Sequence, residues 1–266
     1  MSHPDHPLPH VDAAQLAHKP MRYFDVMMAA FVAILLLSNL IGAAKTTQIT
    51  LFGHDLVFGA GILFFPISYI LGDVLTEVYG YGRARRCVWV GFFALIFMAF
   101  MSLVVVAMPP KADWGCAASA DPMFAAVLGE KGAGAICQST YVSVFGSTWR
   151  IVGASVIAFW AGEFVNSLVL AKMKVWTGGK YLFTRTWGST IAGQAVDSLL
   201  FYPLAFLGVW TTQAVVMVLI TNWALKVAWE ILLTPATYAV VGFLKRAEGV
   251  DVFDEHTNFT PFRAEV

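Results

Sequence analysis

The chain has 266 residues, of which 58% are hydrophobic and only 13% charged, and its formal net charge is zero. Soluble domains carry about 25% charged residues, so the composition points to one helical membrane domain. The balanced charge excludes a partner chosen by bulk electrostatics, such as nucleic acid or an acidic polymer.

Residues 1–20 are polar, rich in Pro and His, and lack an apolar centre, which reads as a mobile cytoplasmic tail and not as a cleavable signal peptide. Apolar runs near 20 residues follow at Tyr23–Ala44, Leu56–Val78, Cys87–Met108, Arg150–Ala171, Thr186–Gly208 and Thr211–Leu244. The last is over-long and contains Pro235, so a kink or steep tilt is expected there. Tyr79–Arg86 and Lys172–Arg185 read as short basic loops, residues 109–149 as a long periplasmic loop, and residues 247–266 as a cytoplasmic tail after a transport domain spanning 21–246.

Cytoplasmic loops collect Lys and Arg. With both termini inside, that side holds Lys19, Arg22, Arg83, Arg85, Arg86, Lys172, Lys174, Lys180, Arg185, Lys245, Arg246 and Arg263, against Lys45, Lys111, Lys131 and Arg150 outside. The expectation is therefore an all-α integral membrane protein with six transmembrane helices and both termini cytoplasmic. Cys116 and Cys137 then share the periplasmic loop, where they either pair as a disulfide or remain two small apolar residues, while Cys87 stays reduced at the inner end of the third helix. In the same loop Asp121-Pro122 reads as the start of a short helix through Leu128 that could plug the outer mouth.

The polar residues inside the runs carry the functional signal. An acid at mid-membrane costs about 2.5–3.5 kcal/mol on insertion scales, so it faces a partner or a polar cavity. Tyr69, Asp73 and Glu77 recur at i, i+4 and i+8 and share one helix face. Their alternative use is an inner helix cap or pairing with Arg83, Arg85 or Arg86. Asn39 lies near the outer end of the first helix, and Glu163 and Asn166 share a side of the fourth with Trp160 a turn away. The fifth carries Gln194 and Asp197 with Phe201, and the sixth carries Asn222, Lys226 and Glu230 in an i, i+4, i+8 row beside Trp229. Lys226 can pair with Glu230 or Asp197, but five acids face this one base, so one salt bridge cannot neutralise them. A ligand with positive or hydrogen-donor character would. The matched spacing of Asn39 to Lys45 and Asn166 to Lys172 suggests a 3+3 inverted repeat, an architecture that binds substrate near the midplane.

Three segments, SYILGDVLTEVYGYGRARR at Ser68–Arg86, GQAVDSLLFYP at Gly193–Pro203 and LKVAWEILLTPATY at Leu225–Tyr238, resemble the queuosine-precursor transporters, also called the vitamin-uptake-transporter family. The resemblance runs from Tyr23 to Arg246. It implies a multi-pass bacterial inner-membrane importer of 7-cyano- or 7-aminomethyl-7-deazaguanine, or of queuine, working without a cofactor. A homodimer is compatible with Gly and Ala on the helix faces. A guanine-like ring fits the polar residues: adjacent N–H and NH2 donors suit Asp197 or Glu163, and the O6 acceptor suits Gln194 or Asn39. The flat faces suit Tyr69, Trp160, Phe201 or Trp229, and an aminomethyl cation suits Glu230 or Asp73. The alternative is a substrate-binding subunit of an energy-coupled vitamin importer. An enzyme is not expected: the chain has no nucleophile elbow, Walker loop or zinc motif, and its six histidines fall outside the expected spans.

Overall fold

The computed structural model describes residues 9–13, 20–42, 46–51, 54–109, 138–146, 149–208 and 210–262. A short strand β1 (His10–Asp12) precedes helix α1 (Phe24–Gly42), and a hairpin of β2 (Thr46–Leu51) and β3 (His54–Gly59) runs through a 3-10 turn (Ala60–Leu63) into α2 (Phe65–Tyr79). Then come α3 (Tyr81–Ala107), α4 (Gln138–Phe145), α5 (Trp149–Trp176), α6 (Leu182–Phe206), α7 (Thr212–Glu248) and strand β4 (Asp251–Phe253).

Local chemistry sets the helix ends. Pro66 sits in the first turn of α2, where its missing N–H is not needed. Gly80 has φ of 84°, and a Cβ there would lie 3.2 Å from Ala13 and Val252, so only glycine can turn the chain between α2 and α3. Thr211 caps α7 by accepting from the Ala214 N–H at 3.3 Å, and Gly249 ends it in the left-handed conformation. Two other helix starts are capped from afar. Glu248 accepts the backbone N–H groups of Arg22 and Tyr23 at 3.0 and 2.8 Å beside the start of α1, and both Asp254 oxygens lie 3.0 Å from the Tyr81 N–H at the start of α3. Both carboxylates stand where helix dipoles favour negative charge.

Among the described residues four helices, α1, α3, α5 and α7, contain stretches long and apolar enough to cross a membrane. In α5 61% of that stretch is buried, against 11–17% in the other three, which makes α5 the central member. Residues 72–79 of α2 are all buried, and α2 packs on α1, α3, α5 and α7. The α5–α6 contact is the closest: a Cβ on Gly193 would meet the Asn166 Cβ at 2.7 Å and the Gly162 carbonyl at 3.0 Å. Apolar packing of Phe31 and Leu35 with Val74, Val78, Leu95 and Phe159 fills the space around α2.

Both ends of the described chain meet at one end of the bundle. His10–Asp12 pairs in parallel with Asp251–Phe253. The segment after β4 then docks on α3: Arg85 Nη1 donates to the carbonyls of Asn258 and Thr260 at 2.9 and 2.7 Å, and the Trp89 indole donates to Pro261 at 2.8 Å.

Several elements differ from the sequence expectation. The span expected from Leu56 begins as strand β3, because residues 46–59 pair as a hairpin in register Thr46 to Gly59, and α2 itself has 15 residues. At 1.5 Å per residue it is about 22 Å long, short of a hydrocarbon core of about 30 Å. The expected loop Tyr79–Arg86 shrinks to Gly80, so Arg83, Arg85 and Arg86 are helical. Similarly, α5 continues to Trp176 and α6 starts at Leu182, leaving only a glycine turn between them. α7 contains Pro235, as expected, and extends past Leu244 to Glu248, 37 residues in all. Cys116, Cys137 and the Asp121-Pro122 helix lie outside the described residues, whereas Cys87 is buried as a free thiol.

Candidate functional site: a buried polar layer between two ion-paired ends

Phe65, Tyr69, Asp73 and Glu77 follow one another at four-residue spacing down one face of α2, each step advancing about 6 Å. They therefore mark four depths in the bundle.

At the first depth Lys226 of α7 donates to Asp197 of α6 at 2.6 Å, and its ammonium lies 5.4 Å from the Phe65 ring centroid. This is the cross-helix pairing that the sequence left open against Lys226–Glu230.

At the fourth depth Glu77 is fully engaged. Arg185 grips both its oxygens, Nε to Oε2 at 2.8 Å and Nη2 to Oε1 at 2.7 Å, and the ammonium groups of Lys245 and Lys174 lie 2.6 and 3.2 Å from Oε1. Lys174 also donates to the Glu77 backbone carbonyl at 2.7 Å. Asp251, at the start of β4, bridges Lys174 and Lys245 at 2.9 and 2.8 Å and so ties the end of the chain to the cluster. Burial by itself pushes the Asp251 carboxyl up, but the two ammonium groups outweigh it and hold the acid below the usual carboxylate range. Glu77 thus has partners other than the Arg83, Arg85 or Arg86 considered from sequence. Those partners, Lys174, Arg185 and Lys245, were legible only as counted loop or tail charges, and Asp251, which bridges the two lysines, carried no signal.

Between these depths lies a layer of polar groups with incomplete hydrogen bonding. Asp73 accepts from Asn166 at 2.7 Å and from Ser189 at 3.4 Å through Oδ1, and Glu230 accepts from Thr190 at 2.5 Å through Oε1. The second oxygen of each acid, both Glu163 oxygens, the Asn166 carbonyl, both ends of the Gln194 amide, the Ser198 and Tyr69 hydroxyls, and the Trp229 indole N–H are buried without an aligned partner among the described residues. Glu163, Asn166, Gln194 and Ser198 have no exposed surface at all. Such atoms each cost about 1–3 kcal/mol when left unsatisfied, and native proteins hold few of them. They are concentrated on α2, α5, α6 and α7, which makes this layer the candidate binding site.

Glycines let the acids converge. A Cβ on Gly72 would meet a Glu163 carboxylate oxygen at 2.8 Å, so the carboxylate rests on the α2 backbone beside Asp73. A Cβ on Gly162 would meet the Tyr69 hydroxyl at 2.7 Å and the Asp197 Cβ at 2.9 Å.

Three of the sequence candidates fall elsewhere. Asn39 accepts from Ser155 at 2.8 Å and lines a separate, largely apolar cavity of about 360 Å³ between α1, α3, α4 and α5. Phe201 packs on Tyr202 and Phe206 toward the end of α6. The Trp160 ring sits in an aromatic cluster with Trp89, Phe164 and Phe262. Ser189 and Thr190 belong to the polar layer but were not singled out in sequence, because isolated hydroxyls in an apolar helix ordinarily bond their own backbone.

Residues 59–240 match the family described as "Putative vitamin uptake transporter". A curated protein of Bacillus subtilis (strain 168), described as "Probable queuosine precursor transporter", is 27% identical over 180 residues, covering 67% of this chain and 69% of that protein. No solved structure gives a significant match. Tyr69, Asp73, Glu77, Glu163, Gln194, Asp197, Lys226 and Glu230 all lie within the matched region, and the chain belongs to this family of vitamin uptake transporters.

Proposed function

We propose that the protein is a multi-pass bacterial inner-membrane importer of queuosine precursors, 7-cyano- or 7-aminomethyl-7-deazaguanine or queuine. The base binds in the polar layer at the level of Tyr69 and Asp73. The observation that carries this reading is the group of buried, unpartnered polar atoms on Glu163, Gln194, Asn166, Asp73 and Glu230. These are the acceptors and donors that the edges of a guanine-like ring require. Family membership and the name of the Bacillus relative support a transported small molecule of that kind.

In this reading Glu163 accepts the N–H and NH2 edge and Gln194 holds O6. Tyr69 and Trp229 bound the ring faces. The Asp197–Lys226 pair closes the outer side, and the Glu77 cluster closes the cytoplasmic side, where the basic residues gather. The six helices α1–α3 and α5–α7 cross the membrane, α2 doing so together with the 3-10 turn Ala60–Leu63 that precedes it, and α2 and α6 are shielded by the four more apolar ones. Both termini are then cytoplasmic, and the two groups of three helices form an inverted repeat about the polar layer. Alternate opening of the two ion-paired ends would move the base across.

The test is uptake by the purified protein alone in liposomes. Saturable entry of a labelled 7-deazaguanine, competed by the unlabelled base, is the expected result. Entry that requires added ATPase subunits would instead make the protein a binding subunit, and absence of both entry and binding would refute the reading.

A further inference from the structure

The charge balance of the polar layer bears on the charge of the cargo. Among the described residues, Asp73, Glu163 and Glu230 form no ion pair, while Lys226 is held by Asp197 and the three cations of the inner cluster surround Glu77. Glu163 lies within electrostatic reach of Tyr69 and Asp73 on α2, Cys87 on α3, Asp197 on α6 and Glu230 on α7, while Lys226 is engaged by Asp197. Asp73 and Glu230 in turn face each other and Glu163. Three carboxyl groups thus share a dry region with no cation of their own. Charges in such a place must be compensated, by a proton on the acid or by an opposite charge brought in.

Resting on the import reading above, we propose that the layer selects a base bearing a protonated primary amine over its neutral nitrile counterpart. The ammonium enters in exchange for a proton. Written out, a chamber carboxylic acid and the substrate ammonium give a carboxylate–ammonium pair plus one proton. The O–H bond of the acid breaks, its electron pair stays on the carboxylate, and the proton passes to water on the side to which the layer is open. Glu230 is the acceptor placed for this. Thr190 already donates to its Oε1, and Oε2, which has no aligned partner among the described residues, receives the ammonium while Glu163 reads the ring edge. A nitrile offers only a weak acceptor and displaces no proton.

The two chemistries separate in calorimetry of the purified wild-type protein with 7-aminomethyl- and 7-cyano-7-deazaguanine, each in two buffers of different ionisation enthalpy. The aminomethyl base should bind more tightly and release close to one proton. Its affinity should then rise with pH, by up to about tenfold per unit for as long as the chamber acid is protonated in the free protein, as linkage requires. The nitrile should bind more weakly, release no proton and show a flat pH profile. Glu230→Gln should lower the proton count for the amine, and the wild-type counts decide the matter should that variant fail to fold. Equal or weaker binding of the amine, or tighter binding without proton release, overturns the inference. A nitrile that binds while the amine does not overturns it and leaves the import reading standing, whereas failure of both bases to bind overturns both.

Discussion

Replacing Glu77 by alanine removes the acceptor at which Arg185, Lys174 and Lys245 converge, with the Glu77 side chain only 1% exposed and Arg185 2%. Lys174 and Lys245 keep Asp251, but Arg185 loses both charge-assisted bonds and retains only the Lys180 carbonyl, at 2.8 Å. Breaking a buried pair while leaving one charge behind costs about 3–5 kcal/mol. At about 2–4 °C per kcal/mol for a chain of this size, the melting temperature should fall by about 10 °C. Thermal unfolding in detergent, followed by size-exclusion chromatography, measures it. The double variant Glu77→Ala with Arg185→Met should recover a large part of the loss, because an apolar side chain needs no counter-charge. A single variant within about 2 °C of wild type would refute the idea that the cluster holds this end of the bundle shut.

Three further outcomes follow from the same geometry. Asp197→Ala strands the Lys226 ammonium and should destabilise by about 3 kcal/mol, whereas Asp197→Ala with Lys226→Met should fold nearly as well as wild type yet take up no base in the liposome assay. Gly193→Leu should push α5 from α6 and cost about 1–3 kcal/mol or more through overpacking, read as loss of the monodisperse chromatographic peak. The third concerns pH: because Asp251 titrates lower in the folded state than unfolded, its contribution is full above the ordinary aspartate value of about 3.9 and disappears as pH falls through the lower, folded value. The melting-temperature gap between wild type and Asp251→Asn should accordingly be constant from about pH 5 to pH 7 and close below about pH 4.

Much of this arrangement was legible in the sequence because it depends on short-range periodicity. The spacing of Tyr69, Asp73 and Glu77 placed them on one face, and the long apolar runs gave α1 and most of α3, α5, α6 and α7. What escaped depends on partners distant in the chain. Lys174 and Arg185 read as the flanks of a cytoplasmic loop, yet both are buried against Glu77 about a hundred residues earlier. The residues Leu56–Gly59 are apolar enough to extend the next helix. Only their pairing with Thr46–Ile49 reveals a strand, and β propensity there is a matter of neighbours. Gly80 alone separates two helices because its positive φ makes a one-residue turn, which no count of loop residues would find.

The central claim is that the incompletely hydrogen-bonded acids of the polar layer bind a hydrogen-donating base. Equilibrium binding of a 7-deazaguanine to purified Glu163→Gln measures this most directly, since neither Glu163 oxygen has an aligned hydrogen-bond partner among the described residues and the substitution preserves shape. The account predicts an affinity at least about tenfold weaker than wild type, equivalent to about 1.4 kcal/mol, with an unchanged melting temperature. Unaltered affinity in the correctly folded variant would contradict it.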